Sequence, residues 1–305
     1  MNVNEYSQIS KRKRIPYGMM NFVDVREDDC YFVDKTVFIP TIEAANKFFF
    51  LIRPRRFGKS LMISMLQHYY DVRDKASFEK WYGGLYIGKH PTPERNSYLV
   101  IYLNFAVVSA ELRSYRQSLD AHCNTAFDFF CDVYRDYLPE GTRERMNEKV
   151  GAVEQLDFLV RECSKANRSV YLFIDEYDHF TNKILAEPAC MEDYKSETHG
   201  TGYLRSFFDT VKTGTYSSLK RVFVTGVCPV TMDDLTSGFN IGTNYSFSPE
   251  FNELVGFSEA DVREMLDYYA TTCEFHHTTD ELIEIMKPWY DNYCFAEESY
   301  GRTSM

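Results

Sequence analysis

The chain has 305 residues, a formal net charge of −11 at pH 7, and 44% hydrophobic and 16% aromatic residues. That length allows a core domain of roughly 200–250 residues plus a small second unit, and the apolar share fits a globular protein with a large core. The acidic balance argues against nucleic-acid binding by the surface as a whole.

Residues 1–14 read as a flexible arm that carries the basic run Lys11-Arg-Lys-Arg14. A solvated arm is the common meaning of such a run, and a contact with nucleic acid or an acidic partner is the alternative. Residues 15–47 form a lead-in with a short helix near Val37 to Ala45. The apolar strand Phe48 to Ile52 then runs into Arg53-Pro-Arg-Arg-Phe-Gly58-Lys59-Ser60. The helix that follows puts Leu61, Met62, Met65, Leu66, Tyr69 and Tyr70 on one face.

This strand, loop and helix have the form of a nucleoside-triphosphate site. Backbone N–H groups of such a loop, and of the helix start behind it, point at phosphates. Lys59 would reach the β and γ phosphates, and the Ser60 hydroxyl would hold Mg²⁺. Arg53 stands where the pattern G-x-x-x-x-G-K-[ST] has its first glycine. Gly-Lys-Ser alone is a weak signal, and the bland alternative is a basic turn between a core strand and a core helix. The candidate nucleotide-binding residues are Arg53, Pro54, Arg55, Arg56, Phe57, Gly58, Lys59, Ser60 and Leu61.

Pro91-Thr-Pro93 marks a loop before a second strand, Tyr98 to Phe105. Apolar residues from Leu112 to Tyr134 recur every three or four positions and predict a helix, and a second helix is expected from about Arg143 to Ala166. The run Val170 to Ile174 suits a strand buried on both faces, and it ends in Asp175 and Glu176. Asp175 would bind Mg²⁺ directly or through water, and Glu176 would polarise the attacking water as general base. Asp178 reads as a cap of a helix or turn, not a third metal ligand. A polar loop covers residues 187–200, of a length that is often functional.

A helix is expected near Gly202 to Lys212, then a strand from Leu219 to Gly226 with Thr225 at its tip. Thr225 is a candidate sensor of the γ-phosphate or water, or else a hydroxyl bonded to local backbone. Transition-state charge calls for an arginine, and Arg205 and Arg221 are candidates beside Arg53, Arg55 and Arg56. From Ser258 the chain turns helical. Ser258-Glu-Ala-Asp261 and Thr278-Thr-Asp-Glu281 read as capped helix starts, the second as a capping box. The eight cysteines form no C-x-x-C pair or metal-like cluster. With no signal-peptide pattern and no run of about 18 apolar residues, this fits a cytoplasmic protein that does not enter a membrane.

Ile15-Pro-Tyr-Gly18, Tyr31-Phe-Val-Asp-Lys-Thr36, Arg53 to Ser60, Ile174-Asp-Glu-Tyr-Asp178, Thr225-Gly-Val-Cys-Pro-Val230 and Asp234-Leu-Thr-Ser-Gly-Phe-Asn240 together resemble the predicted AAA-ATPase-like family of bacteria. The resemblance covers roughly residues 15 to 295. It implies a P-loop ATPase of the additional-strand type, related to archaeal and signal-transduction ATPases. An arginine at the first loop position is usual in that family. Lys59 and Ser60 carry over as phosphate and Mg²⁺ residues, Asp175 and Glu176 as the metal-binding and water-activating acids, and Thr225 as the sensor. The Val33-Asp-Lys-Thr36 segment is implied to lie near the adenine or ribose. Family members often continue into a restriction-endonuclease-like nuclease domain. No Asp…Glu-x-Lys constellation follows here, so nuclease activity is not expected of this sequence.

The resulting expectation is an α/β three-layer P-loop NTPase with a parallel sheet: arm 1–14, ATPase core 15–257, and a partial helical lid 258–305. Its cofactors would be ATP and Mg²⁺, with ATP preferred over GTP through the resemblance. Asn182-Lys183 is followed by Ile184-Leu185 and makes no N-K-x-D. The expected activity is Mg²⁺-dependent ATP hydrolysis coupled to a conformational change, with an unidentified protein partner and room for an oligomer. The rival readings are a nucleotide-dependent switch with little hydrolysis, and a DNA-associated ATPase that regulates a C-terminal nuclease module.

Overall fold

The computed structural model describes residues 12–109, 112–179, 202–228, 241–273, 275–290 and 293–299. The loop expected at 187–200 and the Asp234 to Asn240 motif lie outside them. In chain order the elements are α1 (Phe22–Glu27), α2 (Ile39–Ala44), β1 (Phe48–Ile52), α3 (Lys59–Tyr70), α4 (Phe78–Tyr82), α5 (Tyr86–Lys89) and β2 (Leu99–Asn104). Then come α6 (Leu112–Val133), α7 (Thr142–Asn147), α8 (Gly151–Lys165), β3 (Val170–Asp175), α9 (Tyr203–Gly214), β4 (Leu219–Gly226), β5 (Thr243–Asn244), α10 (Glu259–Ala270) and α11 (Thr279–Met286).

The strands form one sheet in the order β2-β3-β4-β1-β5, with every pairing parallel. Parallel strands need crossovers, and among the described residues helices supply those that link β1, β2, β3 and β4 in sequence. Alternation along each strand then assigns two cores. Phe50, Ile52, Ile101, Leu172, Ile174, Val222 and Val224 pack with α6, α8 and α9. Phe49, Leu51, Tyr171, Phe173 and Phe223 pack with α1, α2, α3 and α4. β3 is buried along its whole length, as its unbroken apolar run requires. Each such side chain contributes about 1.5–3 kcal/mol by leaving water. The fold is thus the expected three-layer α/β sheet, with β4 inserted between the loop-bearing β1 and the acid-bearing β3.

Two predicted helices are broken. A 3₁₀ turn over Thr36–Phe38 runs into α2 where one helix was expected. The helix expected from Arg143 to Ala166 is α7 and α8, separated by an extended Val150. The first turn of α8 gains its partner from elsewhere: the Ala152 N–H donates to Asp120 Oδ1 on α6 at 2.7 Å. A carboxylate there satisfies a free N–H and favours the positive helix end, which apolar periodicity does not report.

Ser258 with Asp261 and Thr278 with Glu281 both close reciprocal capping boxes, at the starts of α10 and α11. Residues 12–14 of the expected arm are anchored on this helical part. The Lys13 N–H donates to Tyr268 Oη at 3.1 Å, and Tyr269 Oη donates to the Lys13 carbonyl at 2.8 Å. Lys13 and Arg14 pair with Asp29 and Asp28. Among the described residues no helix is long and apolar enough to cross a membrane.

Candidate functional site

The C-terminal ends of β1, β3 and β4 meet at one edge of the sheet. In register, Leu51 lies beside Thr225, Ile52 beside Gly226, and Ile174 beside Val224. The chain leaves β1 through residues 53–58 and enters α3 at Gly58, whose φ is +83°. A glycine meets that left-handed conformation without the Cβ penalty. Gly58 offers no side chain to cap the helix. The N–H groups of the first turn are therefore available to an anion.

Asp175 is fully buried at the tip of β3. Its Oδ2 accepts from Ser60 Oγ at 2.6 Å. Its Oδ1 accepts from Thr225 Oγ1 at 2.6 Å and from the Glu176 N–H at 3.0 Å. A carboxylate and two hydroxyls thus converge from three elements, a set of hard oxygens that suits Mg²⁺ in company with phosphate oxygens and water. The Lys59 ammonium donates to the carbonyls of Arg53 and Pro54, each at 3.0 Å. Burial pulls the Lys59 pKa down, and the charges of Glu176, Asp175 and Asp178 oppose that pull.

Residues 16–236 match the family described as "Predicted AAA-ATPase". The chain belongs to the predicted AAA-ATPase family. It is also similar to an uncharacterized protein in the vnfD 5′ region of Azotobacter chroococcum, 26% identical over 256 residues. That alignment covers 82% of this chain and 44% of the relative, so the chain spans less than half of that protein's length. Among solved structures, Cdc6p from Pyrobaculum aerophilum matches 92% of this chain and 57% of its own, at 14% identity and a TM-score of 0.35.

Against the P-loop NTPase fold of this ATPase-like family, the remaining expected residues sort by their contacts. Glu176 directly follows Asp175 and adopts a left-handed φ of +53°. A non-glycine residue held there is strained, and such strain concentrates at functional sites. Its carboxylate is 3.8 Å from His179 Nδ1. Asp178 is buried and accepts from the backbone N–H groups of Val227, at 3.0 and 3.1 Å, and Cys228, at 2.5 Å. It therefore caps the turn after β4. Arg55 and Arg56 are exposed on the loop, and Arg56 has a φ of +70°. Phe57, Pro54 and Leu61 are half-buried.

Arg205 lies in the first turn of α9, half-buried. Among the described residues no hydrogen bond joins it to the Asp175 cluster. Arg221 is excluded as a source of charge at the site. It lies in register with Tyr171 near the start of β4, at the opposite end of the strand from Thr225, and is committed to Glu94 by two 2.6 Å bonds. The Val33 to Thr36 segment is likewise occupied. Asp34 accepts from Thr36 and from the Tyr86 N–H, and Lys35 pairs with Asp261 at 2.6 Å.

Sequence reasoning passed over Asn104. It ends β2 in register with Asp175, its N–H donates to His122 Nε2 at 3.1 Å, and its Nδ2 donates to Tyr102 Oη at 3.3 Å. Burial, reinforced by the Asp175 charge, raises Tyr102 to about 12. The available signal was a polar residue closing an apolar strand, the same pattern that drew attention to Thr225.

Proposed function

We propose that the chain binds ATP with Mg²⁺ and hydrolyses it slowly, coupling the cycle to a conformational change. The observation that carries this reading is the meeting of Ser60 and Thr225 on the two oxygens of Asp175 beside an uncapped helix start. Lys59 leaves its two loop carbonyls for the β and γ phosphates, and the N–H groups of residues 55–61 cradle them; Pro54 has none, and the Arg53 N–H is bonded to the Gly226 carbonyl. Ser60 and Asp175 hold Mg²⁺. The ion supplies neutralisation of the phosphate oxygens. Glu176 orients water for in-line attack and accepts its proton, a role typically worth about 10²–10⁴ in rate. Thr225 keeps Asp175 aligned and senses the γ-phosphate. Arg205, Arg55 and Arg56 are the sources of further positive charge.

The same residues allow a second reading, a nucleotide-dependent switch that holds ATP with little hydrolysis. Lys59 is held by its own loop, and Asp175 already accepts three hydrogen bonds. ATP and Mg²⁺ would take the place of these contacts in either reading, so binding and turnover have to be measured separately. The test is Mg²⁺-dependent ATP binding and phosphate release for the wild type, Lys59→Ala and Glu176→Gln. The ATPase reading expects binding lost in the first variant, and turnover lost with binding kept in the second. Binding without turnover in the wild type selects the switch. ATP binding unchanged in Lys59→Ala refutes both.

A further inference from the structure

Arg53 holds the position of a glycine, yet its side chain is 1% exposed. Its Nη1 donates to the carbonyls of Ile52 at 2.9 Å and Ser246 at 2.6 Å, and its Nη2 to the carbonyl of Phe251 at 2.9 Å. The guanidinium carbon lies 3.9 Å from the centre of the Phe295 ring. Among the described residues no carboxylate pairs with it. Burial lowers its pKa to about 10, so the group stays cationic at neutral pH.

The far side of the loop meets the same ring. Phe57 makes edge contacts with Phe295 at 5.6 Å and Tyr293 at 4.9 Å. The Phe57 carbonyl accepts the Gly256 N–H at 2.8 Å. Phe295 is tied down in turn, its N–H donating to Asn252 Oδ1 at 3.1 Å. One aromatic side chain therefore touches the first and fifth residues of the phosphate loop. The residues behind this grip, 246–256 and 293–295, all lie beyond the family-matched stretch 16–236.

We propose that Arg53 is a positioning residue that never touches phosphate, and that Phe295 is the other half of the device, making the 293–296 segment part of the nucleotide site. This rests on reading the loop as an ATP site. The Arg53 fork fixes three carbonyls while its flat face lies on the ring, so the loop keeps the curvature that aims its N–H groups. Lysine keeps the charge but has neither the fork nor the flat face. The Arg53 carbonyl also receives Lys59, so a displaced Arg53 would move the resting place of the phosphate-binding ammonium.

The experiment is titration of the full chain with a fluorescent ATP analogue and Mg²⁺, with thermal melting as a folding check. The proteins are the wild type, Arg53→Lys, Phe295→Leu, Phe295→Tyr and the Arg53→Lys/Phe295→Leu double variant. Arg53→Lys and Phe295→Leu should each weaken binding about 5–20-fold, within the range of a lost cation–π contact plus loop disorder. The double variant should be no weaker than the worse single one, because contacting residues do not add. Phe295→Tyr, which keeps the ring, should bind like the wild type, a rescue that loss of bulk stability would not give. In phosphate release the loss should appear in KM, with kcat held within about threefold. Affinity within twofold of the wild type in Arg53→Lys and Phe295→Leu, both folded, overturns the proposal. So does additive weakening in the double variant. A folded wild type that binds no analogue refutes the ATP reading itself.

Discussion

Thr225 donates its hydroxyl to Asp175 across 2.6 Å, joining the tips of β4 and β3. The contact is fully buried, so removing the donor leaves a carboxylate oxygen short of one bond in a region that water does not reach. Thr225→Val should lower stability by about 1–3 kcal/mol. It should also slow phosphate release by about 10-fold or more, as expected for a misaligned metal-binding acid. Thr225→Ser keeps the donor and should retain most of both. Urea denaturation and single-turnover phosphate release on the two variants check this, and equal behaviour of valine and serine would contradict it.

Gly226 ends β4 against the turn that follows β3. A Cβ built there would lie 2.4 Å from Tyr177 Cε1 and 2.5 Å from Asp178 Oδ1. Tyr177 cannot swing away freely, because its hydroxyl donates to the Cys228 carbonyl at 2.9 Å. Gly226→Ala should therefore cost about 1–3 kcal/mol through overpacking. A melting temperature equal to that of the wild type would show that the two strand tips are looser than this geometry requires.

The parts of the site that sequence reveals are those whose cause is local. Phe48 to Ile52, Gly58-Lys59-Ser60 and the apolar face of α3 are contiguous, so one stretch of chain reports strand, turn and helix together. Val170 to Asp175 does the same for the acid. The place of β4 between β1 and β3 was legible only through the family resemblance, since parallel register leaves no local signature. What stayed hidden depends on distant partners. Arg53 and Ser246 are 193 residues apart, and Arg221 and Glu94 are 127 apart. In sequence both arginines look like candidates for phosphate charge. The fold gives Arg53 to the support of the loop and Arg221 to the far edge of the sheet. The break between α7 and α8 was hidden for the same reason, because Asp120 acts from another helix.

Asp178 offers a test of the turn behind the sensor strand. Both of its oxygens accept backbone N–H groups from Val227, and one also accepts from Cys228. Asp178→Asn turns one acceptor into a donor that faces those N–H groups. Stability should fall by about 1–3 kcal/mol, the cost of unsatisfied buried donors. Because Asp178 meets the turn and not the Ser60–Asp175 contact, ATP binding in the folded fraction should stay within about threefold of the wild type. Isothermal titration beside a denaturation curve separates the two. Loss of Mg²⁺-dependent binding at unchanged stability would instead make Asp178 a metal ligand.

The Glu94–Arg221 pair gives the fold a pH dependence of known sign. Burial raises the pKa of Glu94, but the hydrogen bonds from Arg221 and Tyr98 and the Arg221 charge outweigh it, and the net shift is downward. A carboxyl with a lower pKa in the folded than in the unfolded state binds fewer protons when folded. Its stabilisation is complete above the unfolded value, near 4.5, and is lost as pH falls through the folded value. Arg221→Met leaves Glu94 without its cation. It should lower stability at pH 7 by about 2 kcal/mol, less than the loss for a fully buried pair because Glu94 remains partly exposed. The same variant should lose less of its remaining stability than the wild type between pH 5 and pH 3. Urea denaturation across that range for the wild type, Arg221→Met and Glu94→Gln gives the comparison. Parallel acid limbs in all three would mean that other carboxylates, such as Glu162 beside Arg145 and Lys165, carry the acid sensitivity.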